Sequence, residues 1–163
     1  MRSSPNTNRW LAAATPVGAL LVSVGTAVVI AGSDAGIPAI LAGILVLVVG
    51  LAGVHGLIAN RYGGLGNAGF VATQLALVAI FLPLSGLGFL LLIPAGVLLS
   101  WALARMSPPM VGPAIAILAV WPAAVALDAA SSLSFSEALA VVFPLPYVWL
   151  ALAARRLPSP ATA

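Results

Sequence analysis

The chain has 163 residues, of which 63% are hydrophobic and 6% charged, and its formal net charge of +3 comes from six arginines against three acids. A soluble domain carries roughly 45–50% apolar and about 25% charged residues. A fold this size could not coat itself with so few charges, whereas hydrocarbon requires no polar coat. Cysteine and lysine are both absent, which excludes disulfides, thiolate catalysis, cysteine-bound metal and a Walker-type phosphate loop.

No stretch is polar enough for a second, soluble domain, so the composition predicts one all-α membrane domain over 1–163, a six-transmembrane-helix bundle. The first span is expected at 10–31, after a short tail 1–9 that carries Arg2 and Arg9. Its apolar run exceeds the ~7–15 residues of a secretory signal core, which favours a retained helix over a cleaved leader. Gly32-Ser33-Asp34 closes it. The second span, 38–59, ends at Asn60-Arg61-Tyr62-Gly63-Gly64. The third, 68–84, has Asn67 as its candidate cap. Residues 69–105 are almost unbroken apolar sequence, and as one helix they would measure about 55 Å at ~1.5 Å per residue, nearly twice a bilayer core. Pro83-Leu84-Ser85-Gly86-Leu87-Gly88 supplies a hairpin that starts the fourth span, 87–105. Ser107-Pro108-Pro109 opens the fifth, 109–127, with a cap followed by prolines. Ser134 and Glu137 form a capping box for the sixth, 135–154, which leaves a tail 155–163.

Orientation follows from charge. With six spans, Arg2, Arg9, Arg61, Arg105, Arg155 and Arg156 all fall on one side, and Asp34, Asp128 and Glu137 on the other. The positive-inside rule makes the arginine side cytoplasmic, with both termini there, in a multi-pass protein of the plasma membrane. Trp10, Tyr62, Trp101, Tyr147 and Trp149 fall near that same side as an interfacial belt with wet polar atoms, and Trp121 lies mid-span. Gly18, Gly25 and Gly32 stand seven apart, as do Gly43 and Gly50. Each set shares a helix face, so the first two spans are expected to cross there. Gly112, Ala116, Ala119 and Ala123 make a similar stripe in the fifth. Pro16, Pro94, Pro122, Pro144 and Pro146 interrupt their helices. Broken helices mark binding sites in transporters, but prolines are common in membrane spans generally.

Two polar intramembrane positions are candidates for function. His55, the sole histidine, lies about a turn inside the second span. Its reading as a neutral ring hydrogen-bonded near the interface is preferred to a proton relay or ligand, because that depth is inexpensive for a polar group. Gln74, beside Thr73, is expected to hydrogen-bond across helices, with a substrate contact as the sharper alternative. A bis-histidine haem is impossible with one histidine, and zinc finds no cysteine and no acid on that side. The serine pattern of rhomboid-type proteolysis, a midplane acid pair and clustered acids for a metal are also missing. No catalytic residue, cofactor or metal ligand is therefore assigned.

Gly50-Leu51-Ala52-Gly53-Val54-His55-Gly56, then Arg61-Tyr62-Gly63-Gly64-Leu65-Gly66-Asn67-Ala68-Gly69, then Leu99-Ser100-Trp101-Ala102-Leu103-Ala104-Arg105 form a glycine-rich pattern over about a third of the chain. It resembles a loosely defined group of small, uncharacterised prokaryotic multi-helix membrane proteins. The resemblance implies a multi-helix membrane fold, with no activity and no functional residue to carry over. The expected role is a non-enzymatic structural or accessory membrane component. Its partners are the lipid bilayer and other membrane proteins or its own copies, not nucleic acid. The alternative is a small permease or channel component acting as an oligomer.

Overall fold

A computed structural model describes residues 5–79 and 85–157, and among them every regular element is helical. The order is α1 Pro5–Ala12, α2 Ala14–Ile30, α3 Gly36–Ile58, α4 Gly63–Ala79, α5 Ser85–Met106, α6 Pro108–Ala130, α7 Phe135–Val142 and α8 Leu145–Arg156. Four segments are long and apolar enough to cross a bilayer: Asn6–Ile30, Gly36–Ile58, Pro108–Ala130 and Phe135–Arg156. The helix Gly63–Ala79 and the Leu90–Met106 part of α5 are apolar but shorter. Large apolar side chains face outward on every long helix, among them Leu20, Leu45, Leu75, Leu90, Ile115 and Leu152. Water would not tolerate that surface, and lipid does.

Proline explains why two of the segments are written as pairs. Pro16 has no N–H for the Ala12 carbonyl, and the helix is interrupted at Ala13 between α1 and α2. Pro144 and Pro146 do the same between α7 and α8. Pro94, Pro113 and Pro122 are instead absorbed within α5 and α6.

Neighbouring helices pack in chain order, and α7 and α8 return to α2 and α3 to close the ring. Counting α1–α2 and α7–α8 as one segment each, successive segments alternate in direction. Gly53 and Gly56 of α3 lie against Ala12 and Asn8 of α1, Gly69 of α4 lies against Leu98 and Leu99 of α5, and Gly112 of α6 lies under Trp149 of α8. These contacts gather Arg9, Arg61, Arg105, Arg155 and Arg156 at one end of the bundle. Asp34, in the α2–α3 turn, and Asp128 and Glu137, flanking the α6–α7 turn, occupy the other.

The tightest seam is glycine-built. A Cβ on Gly18 would stand 2.8 Å from the Gly43 carbonyl oxygen, one on Gly25 would stand 2.7 Å from the Gly36 oxygen, and one on Gly43 would stand 2.7 Å from the Val22 nitrogen. Backbones touch here because no side chain separates them, as the heptad spacing predicts. Gly36, just ahead of the predicted span, belongs to the seam. Gly32 does not: its φ of +87° ends α2, and the Ser33 N–H reaches back to the Val28 carbonyl at 3.1 Å in a Schellman closure.

Several boundaries differ from expectation. The N-terminal tail is helical from Pro5, within the first apolar segment. The third helix starts at Gly63 rather than 68, because Gly63 turns the chain at φ +66° and helix follows at once; Asn67 is therefore inside α4 and caps nothing. Ser107 holds the cap position of α6, but its hydroxyl has no partner among the described residues. Pro109 has removed one of the N–H groups it would serve, and the Met110 N–H bonds the Ser107 carbonyl instead. The Ser134–Glu137 box is present, with the Glu137 carboxylate accepting the Ser134 N–H at 2.7 Å. Of the expected break Pro83-Leu84-Ser85-Gly86-Leu87-Gly88, Pro83 and Leu84 lie outside the described residues and 85–88 are already helical at the start of α5, which packs antiparallel on α4 as a separate helix.

Candidate functional site

The polar side chains singled out by sequence lie along one seam, between α3 and α4 at the arginine end. Backbones approach each other little here, so side chains fill the gap. His55 projects from the last turns of α3, and its Nδ1 pairs with the Tyr62 hydroxyl. Its ring stacks on Phe70 of α4, with centroids 4.6 Å apart and planes inclined by 24°. Tyr62 sits just beyond α3, where its ring covers Gly66, a position at which any side chain would collide with it. Burial pushes the Tyr62 phenol above its ordinary range, so the group stays protonated, and the tautomer of the His55 ring decides whether the hydroxyl donates to Nδ1 or accepts from it.

Gln74 lies one turn beyond Phe70 and deeper in the bundle. Its Nε2 donates to the Val48 carbonyl of α3 at 3.1 Å, and its Oε1 is buried without a partner among the described residues. His55 and Gln74 therefore share a seam without forming one site. Thr73 turns its hydroxyl back to the Gly69 carbonyl at 2.9 Å and meets the buried Tyr147 phenol from α8. Among the described residues no three acids or histidines gather as metal ligands.

The aromatic belt needs correcting. Trp10, Trp101 and Trp149 are exposed at the arginine end as expected, but Tyr62 and Tyr147 are 7% and 2% exposed. Their hydroxyls have protein partners, so these residues point inward. Trp121 stacks on Phe135, with centroids 6.0 Å apart.

Two cavities flank this framework. One, of about 270 Å³, lies among α5, α6 and the α7–α8 break and is walled by Leu92, Gly96, Ile117, Trp121, Phe143 and Tyr147 among others. The second, of about 260 Å³, opens at the arginine end and is lined by Arg61, Tyr62, Gly63, Gly64, Trp101 and Arg105 among others. The Arg105 guanidinium lies 4.3 Å over the Trp101 ring. Sequence reading used these arginines only to set orientation. The four-residue spacing of Trp101 and Arg105, one helical turn, is the signal that pairs them, whereas Tyr62 lies beyond α3 and no helical spacing signals its contact with His55.

In comparisons with known proteins, no family model, no curated protein and no solved structure matches this chain.

Proposed function

We propose that the chain is a six-span protein of the plasma membrane with its arginine end and both termini in the cytoplasm, serving as a non-enzymatic structural or accessory component of the membrane. The observation that carries the reading is the filled centre of the bundle. Leu47, Leu51, Leu99, Leu103, Met110 and Leu150 belong to one apolar cluster there, with exposures of 0–1%. Of the polar groups beside this core, Gln74 bridges α4 to the Val48 carbonyl of α3, His55 pairs with Tyr62 in the turn that follows α3, and Thr73 bonds back within α4 to Gly69. The separation of arginines from acids at opposite ends supports the orientation, and the antiparallel α4–α5 pair supports counting both as spans.

Reporter fusions test the topology. A cytoplasm-active reporter after Ala163 should be active, and export-dependent reporters near Ser33 and Ser132 should be active; an active export-dependent fusion after Ala163 overturns the six-span arrangement. Gentle solubilisation followed by native mass spectrometry tests the role. The expected result is a stoichiometric assembly with another membrane protein. Saturable solute flux through vesicles holding the purified chain alone would overturn it in favour of a permease.

A further inference from the structure

We infer that the cavity at the arginine end is a binding site for a phosphate group, formed by Arg61, Arg105 and the start of α4. Two arginines from different elements, Arg61 of the α3–α4 turn and Arg105 of the last turn of α5, line one opening of about 260 Å³. Arginine's planar fork suits the paired oxygens of phosphate, and each such bond is charge-assisted. The three acidic side chains of the chain sit at the opposite end, so the local field is positive.

The backbone adds to this field. Gly63, Gly64 and Leu65 all line the opening and are the first residues of α4. The first N–H groups of a helix have no intrahelical acceptor, and the helix dipole is positive there. The preceding residue, Tyr62, turns its hydroxyl to His55 and so does not cap the helix. Gly63 is explained by its positive φ. Gly64 is not explained that way, and a Cβ there would meet nothing within 4 Å. Packing therefore does not require glycine at 64, and its effect is to leave the N–H groups open to an approaching anion.

Depth narrows the source. Trp101 is 55% exposed and forms a wall of the cavity with Arg105 stacked on it. An exposed tryptophan beside an arginine marks the head-group level of a bilayer. The phosphate of an anionic phospholipid and a free phosphate from the cytoplasm both reach that level, and both present the same oxygens. This site does not depend on the accessory role proposed above.

The test uses the full chain in detergent, with thermal midpoint and native mass spectrometry as readouts. Phosphatidylglycerol is titrated against phosphatidylcholine, and inorganic phosphate against chloride at equal ionic strength. Stabilisation by phosphatidylglycerol alone assigns a lipid head group, and stabilisation by inorganic phosphate assigns a soluble ligand. Arg105→Gln or Arg61→Gln should weaken the active probe about tenfold, whereas Arg155→Gln, at the same end but outside the cavity, should change it less than about twofold. Gly64→Asp separates binding from folding: an acid in the first turn favours the helix, so the unliganded midpoint should hold or rise while binding is lost. The inference is overturned if neither probe exceeds its control, if Arg155→Gln weakens binding as much as Arg105→Gln, or if Gly64→Asp binds as the parent does.

Discussion

Adding one methyl group at Gly43 should disrupt the α2–α3 seam. In the parent geometry the new Cβ would lie 2.7 Å from the Val22 nitrogen and 2.9 Å from the Gly18 oxygen and the Leu21 Cβ. Two of these are backbone atoms and cannot swing aside. Relief requires the helices to part by roughly 0.5–1 Å, which forfeits a quarter to a half of each dispersion contact of ~0.1–0.2 kcal/mol along the seam. For some forty atom pairs, an order-of-magnitude figure for a long close seam, the loss is about 2 kcal/mol. Lipid supplies no hydrophobic force to close the gap again. Alanine's better helix propensity returns up to about 1 kcal/mol, leaving a net cost of about 1–2 kcal/mol for Gly43→Ala. Gly96→Ala is the matched control. It is also mid-helix, gains the same propensity, and its Cβ meets only Ile117 at an ordinary 3.5 Å, so it should be neutral or stabilising. The assay is the denaturant midpoint in detergent. Equal shifts for the two variants would refute the claim that backbone contact holds this seam. Gly25→Leu should cost more than Gly43→Ala, and its control is Val24→Leu, since Val24 is 51% exposed.

The His55–Tyr62 pair should be coupled: His55→Gln and Tyr62→Phe, measured singly and together, should show an interaction of about 0.5–1.5 kcal/mol, and additive effects would mean that the hydrogen bond contributes nothing. Gln74→Leu should cost under about 1 kcal/mol, because losing the bond to the Val48 carbonyl is offset by removing the unpartnered Oε1; a loss above about 2 kcal/mol would point to a second, undetected partner for the amide. Tyr62 also sets an alkaline limit. Its phenol is raised by burial, so the folded chain holds a proton that the unfolded chain releases near pH 10. The stabilising contribution is complete below that pH and is lost as pH rises toward the folded value. Stability above pH 10 should therefore fall less steeply in Tyr62→Phe than in the parent, and parallel profiles would show that Tyr62 is not the titrating group.

Periodicity made the α2–α3 seam legible, because residues seven apart stay on one helix face whatever surrounds them. The same rule cannot distinguish a glycine placed for contact from one placed for φ +87°, as at Gly32, which the Gly32-Ser33-Asp34 stop marks as the end of the span. It also missed Gly36, Gly53 and Gly56, which depend on where α1 and α3 begin and end. Gln74 was readable as a bridge because an amide inside a span has few other uses. The inward turn of Tyr62 and Tyr147 was not readable from position alone. Both stand at interfacial depth like the tryptophans, and only the presence of His55 and Thr73 within reach of their hydroxyls decides which way they face. The arginine cavity was hidden for a similar reason. Arg61 and Arg105 lie in different connecting regions, and they meet only because α4 and α5 pack antiparallel.

The bundle has two seams of opposite character, and this determines where it can change shape. Between α2 and α3, glycines bring backbone against backbone, and any separation costs dispersion along the whole line of contact. Among α5, α6 and the α7–α8 break, prolines at 94, 122, 144 and 146 remove backbone hydrogen bonds, and a cavity of about 270 Å³ remains beside them. A cavity wall has already forfeited the contacts that movement would break, and a proline-interrupted helix bends about a point where a hydrogen bond is already missing. Shifting α6 or α7 into that space therefore costs less than parting α2 from α3. A partner or lipid that reshapes this protein should act on the proline side and leave the glycine seam intact.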